Sequence, residues 1–244
     1  MARTIRTFFE HASQESDEHI ILDKIESHHL INVLRLNPND EVIGLDGMGM
    51  VFETIILEPD PKSVVLSVIG KKMMHQPVSS FRMCVALTQG NQWDNIVKPL
   101  TELGVSRLSP LLTEYTQFKF NKEKEEQKIN KWKRLSIEAC KQSGNAWLPS
   151  IDSPESFSSF ANGCEEGDLI LMGSLSSSAK SISTFKHAPT KNYTLLIGPE
   201  GGWSNEEERI AVEKNFKIFS IGFNTLRVET AAISSLAVAR EKFL

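Results

Sequence analysis

Two short apolar runs near the C-terminus, each closed by glycine, constrain this chain more than any other feature. Tyr193–Ile197 runs into Gly198-Pro199-Glu200-Gly201-Gly202, and Phe216–Ile221 runs into Gly222. Apolar runs of this length, bounded by turn residues, read as buried strands. Glycine at a strand end admits positive φ and lets a ligand approach the backbone more closely than a Cβ allows. Ligands of α/β sheets sit at the carboxyl ends of strands. Taken singly, each turn is also an ordinary strand–helix connection. Together they point to one pocket walled mostly by main chain.

The surrounding pattern agrees. From Ser80 onward strands alternate with helices, the signature of a parallel α/β sheet. Strands are expected at Phe81–Leu87, Val105–Leu112 and Leu169–Met172, and helices at Trp93–Leu103, kinked by Pro99, and Ile129–Cys140. A serine-rich stretch, 173–178, reads as a flexible connector. Ser204-Asn205-Glu206-Glu207 is a capping box that starts a helix. The chain closes with a helix over Glu229–Phe243, with Ala232, Leu236 and Ala239 on one face.

Residues 3–72 have a different texture. Short strands are expected at Thr4–Phe9, His19–Leu22, Glu41–Leu45, Met50–Leu57 and Ser63–Lys71, with turns at 37–40 and Asp46-Gly47. One short helix fits Glu26–Arg35, and the whole suggests a small β-barrel. Apolar periodicity lapses over Lys71–Pro77, so the expected domains are 1–74 and 75–244.

A net charge of −4 argues against a protein that coats nucleic acid by bulk electrostatics. Residues 119–141 nevertheless gather eight basic side chains against four glutamates. That strip is either a solvated mixed-charge helix or a phosphate-facing surface. No apolar run approaches the ~18–20 residues of a membrane helix, and the N-terminus has no signal-peptide stretch. Cys84, Cys140 and Cys164 are far apart and form no Cys-x-x-Cys pair. They read as packing residues in a reduced, cytoplasmic setting, with no metal site. His28, His29, His75 and His187 sit on the small helix, in the linker and in a loop.

Dinucleotide, Walker A, zinc-protease and serine-hydrolase motifs are all missing. The glycine turns themselves offer backbone donors and one carboxylate, Glu200. Arg227 and Glu229 bracket the start of the last helix. An arginine there either grips phosphate or a developing anion, or pairs with Glu229. Lys98 and Glu102 have the spacing of a surface ion pair.

Leu196–Gly202 and Leu226-Arg227-Val228-Glu229-Thr230-Ala231 resemble the cofactor loops of bacterial small-subunit (16S) rRNA uridine-N3 methyltransferases. Those enzymes belong to the SPOUT superfamily of knotted, S-adenosylmethionine-dependent RNA methyltransferases. Lys98 with Thr101-Glu102-Leu103-Gly104-Val105 extends the likeness, as does Glu138-Ala139-Cys140 with Gln142 and Pro149. In the first domain, Arg6 with Phe8, His29, Val33-Leu34-Arg35, Asp46-Gly47 and Val51-Phe52 resemble a PUA-like, RNA-binding barrel. The chain departs from the family at Gly222-Phe223-Asn224, at Gln92 and at Gly144-Asn145, each time losing a basic group expected near RNA.

The resemblance implies an α/β domain tied in a deep trefoil knot, one of the exceptions to the rule against knots. It also implies a homodimer with active sites at the subunit interface. S-adenosylmethionine would be held by Met172, Gly173, Ile197, Gly198, Glu200, Gly201, Gly202, Ile221, Gly222 and Leu226. The substrate would be 16S rRNA or the small ribosomal subunit, met by Arg6, Arg35, Lys98, Lys131, Lys133, Arg134 and Gln142. Uracil N3 must lose a proton and must be unpaired to be reached. Arg227 would stabilise the developing charge and Glu229 fix the helix start, while the residues alone do not assign the base. Two other readings stand beside this one. They are a knotted enzyme acting on another nucleoside or a ribose 2′-hydroxyl, and a non-catalytic RNA-binding or assembly protein of the same fold.

Overall fold

A computed structural model of the chain describes residues 4–10, 18–75, 77–88, 90–116, 121–164, 167–186 and 192–244. His187 and Lys119 lie outside the described residues. The chain divides into two compact units, one of residues 1–76 with 137–148 and one of 77–136 with 149–244.

In the first unit the strands are β1 (Arg6–Phe8), β2 (His19–Ile21), β3 (Glu41–Leu45), β4 (Met50–Glu58) and β5 (Val65–Met73). They form one sheet in the order β1-β3-β4-β5-β2, so the expected barrel is a five-stranded sheet with β1 and β2 at its ends. The β1–β3 pair is parallel and the other pairs are antiparallel. Alternation along β4 sends Phe52, Thr54 and Ile56 inward, where they meet Leu30, Val42 and Leu66. Helix α1 (Lys24–His28) starts before the expected Glu26 because the Asp23 carboxylate accepts from the Ile25 and Glu26 N–H groups. It continues as one wide π turn over His29–Val33.

Segment 137–148 belongs to this unit and is tied to it by polar contacts. The Lys141 ammonium lies 2.5 Å from the Glu26 carboxylate, which also accepts from the Thr7 hydroxyl at 2.6 Å. The Arg6 guanidinium donates to the carbonyls of Lys141 and Gln142, both at 3.1 Å.

The second unit carries β6 (Ser80–Ala86), α2 (Gln92–Glu102), β7 (Arg107–Leu112), α3 (Lys122–Ser143, leaving for the first unit at Ile137), β8 (Ser150–Ile151), β9 (Glu155–Ser156) and α4 (Phe157–Asn162). Then come β10 (Leu169–Gly173), β11 (Lys180–Ser181), β12 (Asn192–Ile197), α5 (Asn205–Glu213), β13 (Lys217–Ser220) and α6 (Val228–Phe243). Its sheet is parallel throughout, in the order β11-β13-β10-β12-β6-β7-β8, with β9 beside β7.

Strand alternation builds two cores. Phe81, Met83, Val85, Leu171 and Leu195 face one side, with α2 and α6 residues including Ile96, Leu100 and Leu236. Cys84, Met172 and Leu196 face the other, with Phe157, Phe160 and Ala211 from α4 and α5. Ala232, Leu236 and Ala239 are fully buried, so this face of the closing helix is covered within its own chain. Burial pushes the thiols of Cys84 and Cys140 up to about 12 and that of Cys164 to about 11, which fits packing residues.

One polar cluster interrupts the apolar sheet. Asp152 accepts from Arg107 Nε at 2.7 Å, from Ser109 Oγ at 2.5 Å and from Arg82 at 3.2 Å, while Glu155 takes the same Arg82 nitrogen at 2.7 Å. Burial alone would push the Asp152 carboxyl up. The hydrogen bonds from Arg107 and Ser109 and the two guanidinium charges outweigh it and hold the carboxyl below the usual aspartate range. A depressed native value contributes stability that is fully present above the unfolded value, ~4, and is lost as pH falls through the native one. Asp152→Asn is therefore expected to destabilise the protein clearly at pH 7 and progressively less as the pH falls below ~4. Urea unfolding at several pH values checks this, and a loss that does not change with pH would refute it.

Candidate functional site

Strands β13, β10 and β12 are neighbours in the sheet, so their carboxyl ends deliver three connections to one place. These are the turn 198–202 after β12, the turn 221–227 after β13 and Gly173–Ser176 after β10. Together with the first two turns of α6 they wall a cavity of about 530 Å³. Gly202 and Gly222 have φ of +75° and +79°, and nothing lies within 4 Å of where a side chain would begin. Both requirements, left-handed backbone and open space, are met by glycine without strain.

The turns are held from behind. The Trp203 indole N–H donates to the Gly173 carbonyl at 2.7 Å, tying the turn after β12 to the end of β10. That indole lies where a Cβ on Gly198 would come within 3.0 Å of its ring. The expected capping box is formed, with the Ser204 hydroxyl accepting from the Glu207 N–H and the Glu207 carboxylate from the Ser204 N–H. The second Glu207 oxygen accepts from the Glu114 N–H at 2.9 Å, anchoring the start of α5 to the segment after β7. The glycine turns line the cavity, with Ile197, Leu226, Val228 and Ala231 as apolar wall and Glu200, Glu208 and Arg227 as its charges.

Of the residues expected to hold a cofactor, Gly173, Ile197, Gly198, Glu200, Gly201, Gly202, Ile221, Gly222 and Leu226 line this cavity. Met172 does not: it is fully buried, and the pleat turns it into the core on the far side of the sheet. Arg227 lines the cavity as the N-cap residue of α6 but makes no side-chain capping bond. It forms no ion pair with Glu229, whose Oε2 is buried without a partner among the described residues. The pairing alternative for Arg227 is thus absent from the structure.

The expected RNA-facing residues divide between the two units. In the second, Lys131 pairs with Asp94 at 2.6 Å, Lys133 and Arg134 are exposed on α3, and Lys98 is half-buried on α2. In the first, Arg6 is engaged as described, while Arg35 (φ 57°) and Gln142 are exposed. Ser174, in the loop expected to hold the adenine, lines the cavity, and so do Ser176, Trp203 and Glu208, which were not expected there. The readable signal for Glu208 was its place one turn past the capping serine. Among the described residues no group of His, Cys, Asp and Glu could hold a metal ion, and no helix is long and apolar enough to cross a membrane.

Residues 75–240 match the model of the RNA methyltransferase domain. The chain belongs to the RNA methyltransferase family. Residues 22–69 match the RNA methyltransferase PUA domain. The chain is 31% identical to ribosomal RNA small subunit methyltransferase E of Synechocystis sp., over 89% of this chain and 71% of that one. It is 30% identical to the protein of the same name from Aquifex aeolicus, over 82% of this chain and 85% of that one. A Legionella pneumophila methyltransferase solved with bound S-adenosylmethionine superposes with a TM-score of 0.89 at 28% identity, covering 98% of both chains.

The capping box gives a direct check on how this RNA methyltransferase holds its turn. Ser204→Ala removes one half of it and is expected to cost about 1 kcal/mol. For a chain of this size that lowers the melting temperature by ~2–4 °C. Calorimetry showing no change would mean that the turn is held without the cap.

Proposed function

We propose that this RNA methyltransferase transfers a methyl group from S-adenosylmethionine to N3 of a uridine in 16S rRNA. One observation carries the reading: a main-chain cavity at the carboxyl ends of three adjacent parallel strands, in a chain of this family. The cavity suits the cofactor. Its apolar wall matches an adenine ring, and Glu200 and Glu208 offer acceptors for hydroxyls and a cationic head. When bound, the cofactor supplies a methyl group already activated by a sulfonium.

The protein's own task is then to orient the base and manage one proton. Arg227, exposed and making no side-chain cap bond at the start of α6, would stabilise negative charge developing on the uracil ring. Glu229 contributes behind it, in the first turn of α6. Lys98, Lys131, Lys133 and Arg134 on one unit, and Arg6, Arg35 and Gln142 on the other, are the candidate RNA contacts. The wider reading includes a trefoil knot through the glycine turns, a cytoplasmic setting and a homodimer. Since Ala232, Leu236 and Ala239 are covered internally, a dimer contact on α6 would use its exposed positions, such as Thr230 and Val238.

Nucleoside mass spectrometry of small-subunit rRNA from cells with and without the gene is expected to show one N3-methyluridine lost, and its persistence would overturn the reading. Arg227→Ala is expected to slow single-turnover methylation ~10²–10³-fold, the scale of one lost transition-state donor, with little change in melting temperature. A near-normal rate would remove Arg227 from the mechanism. Gly202→Val fills the cavity mouth and forces a branched side chain to positive φ. It is expected to abolish calorimetric binding of S-adenosylmethionine in a protein that still folds, and unchanged affinity would refute the cofactor assignment.

A further inference from the structure

A second cavity of about 530 Å³ opens on the other side of the turn after β12. Its lining includes Thr88, Gln92 and Tyr115, and it shares Pro199, Glu200 and Gly201 with the first cavity. Two features set it apart from an ordinary surface hollow. Thr88 Oγ1 and Gln92 Oε1 are both buried with no hydrogen-bond partner among the described residues. Buried polar atoms are nearly always satisfied, and both of these orphans belong to residues that line this cavity.

The orientation of Gln92 is fixed by chemistry. Its side-chain nitrogen donates to Glu200 Oε1 at 2.8 Å. An ionised carboxylate only accepts, so the NH₂ end must point to Glu200 and the amide oxygen is left as a free acceptor. The Thr88 hydroxyl is free to donate. Tyr115, about half exposed, offers a ring for stacking. A free acceptor, a free donor and an aromatic surface in a space of this size suit one planar, hydrogen-bonding heterocycle with its sugar. The shared wall sets such a base directly beside the cofactor cavity.

Resting on the function proposed above, we infer that this second cavity seats the flipped-out uridine, and that Glu200 accepts the proton from N3. In this arrangement Thr88 donates to a uracil carbonyl. Gln92 accepts from the ribose hydroxyl or another donor of the nucleoside, and its NH₂ group holds Glu200 at the wall between the two cavities. The N3–H bond breaks as the proton passes to a Glu200 oxygen, forming a neutral carboxylic acid. The bonding pair stays on N3 and is the pair that takes the methyl group, while the pair of the methyl's former bond returns to sulfur. Glu200 thus bounds both cavities and acts on the base in one of them.

The test measures uridine 5′-monophosphate binding by NMR titration, with S-adenosylhomocysteine present, on wild type and on Thr88→Val, Gln92→Met and Glu200→Gln. Single-turnover methylation and melting temperatures are measured on the same preparations. Thr88→Val and Gln92→Met, if folded, are expected to bind the nucleotide about three- to tenfold more weakly, as the loss of one neutral hydrogen bond predicts. Glu200→Gln is expected to bind the nucleotide as wild type does, yet, assayed at saturating S-adenosylmethionine, react ~10²–10⁴-fold more slowly, the range of a lost general base. Wild type failing to bind the nucleotide up to its solubility limit, or both cavity variants binding it normally, would overturn the assignment of the seat. Glu200→Gln reacting at the wild-type rate would overturn the proton acceptor. Wild type that methylates small-subunit rRNA while these variants behave normally sinks only this inference. Wild type that neither binds cofactor nor methylates sinks the functional reading beneath it.

Discussion

The parallel sheet of the second unit is apolar on both faces, and the rest of that unit follows from this. Side chains along β6, β10 and β12 alternate between the core under α2 and α6 and the core under α4 and α5. A polar group on either face would have to be desolvated, at ~1–3 kcal/mol if left unpaired. The cluster of Arg82, Arg107, Ser109, Asp152 and Glu155 is the exception, and there each charged group meets an opposite one. Chemistry is therefore displaced to the strand ends, where backbone N–H and C=O groups leave the ladder and glycine lets the chain turn sharply. Both cavities lie there, one on each side of the turn after β12.

Most of this architecture was legible because it rests on local signals. The strand Glu41–Leu45 was read with its observed ends, and the capping box named the start of α5 from four residues. The unread parts lacked a local signal. Helix α3 begins at Lys122, well before the expected Ile129, because Lys-Glu-Lys-Glu-Glu-Gln-Lys has no apolar period to announce a helix. Strands β8, β9 and β11 are two residues each, too short for alternation to register. Helix α4, Phe-Ser-Ser-Phe-Ala-Asn, is a single turn and a half whose serine cap looks like loop composition.

The site was legible to the same degree and for related reasons. Glycines at strand ends identify a main-chain pocket without any partner being known, and nine of the ten expected cofactor residues line it. The Met172 side chain lies in the core on the far side of the sheet, because a one-residue step along a strand reverses the side chain's face. Thr88, Gln92 and Tyr115 meet Glu200 only through the tertiary fold, from separate elements. Gln92 stood out in the sequence solely as a missing positive charge. The structure instead gives its amide a definite job, holding a carboxylate.

A pocket built from main chain has a consequence for how such a protein can drift. Its backbone N–H and C=O groups are carried by every residue type except proline, which lacks the N–H, so substitution around it alters rim and flank before it alters the grip. Phe223 illustrates the point: it is fully solvent-exposed, one residue past the glycine whose positive φ shapes the turn. Side chains there are free to change with whatever surface the protein must meet. The adjacent glycine sits at a positive φ that most side chains resist. Specialisation and permanence thus sit on adjacent residues of a single loop.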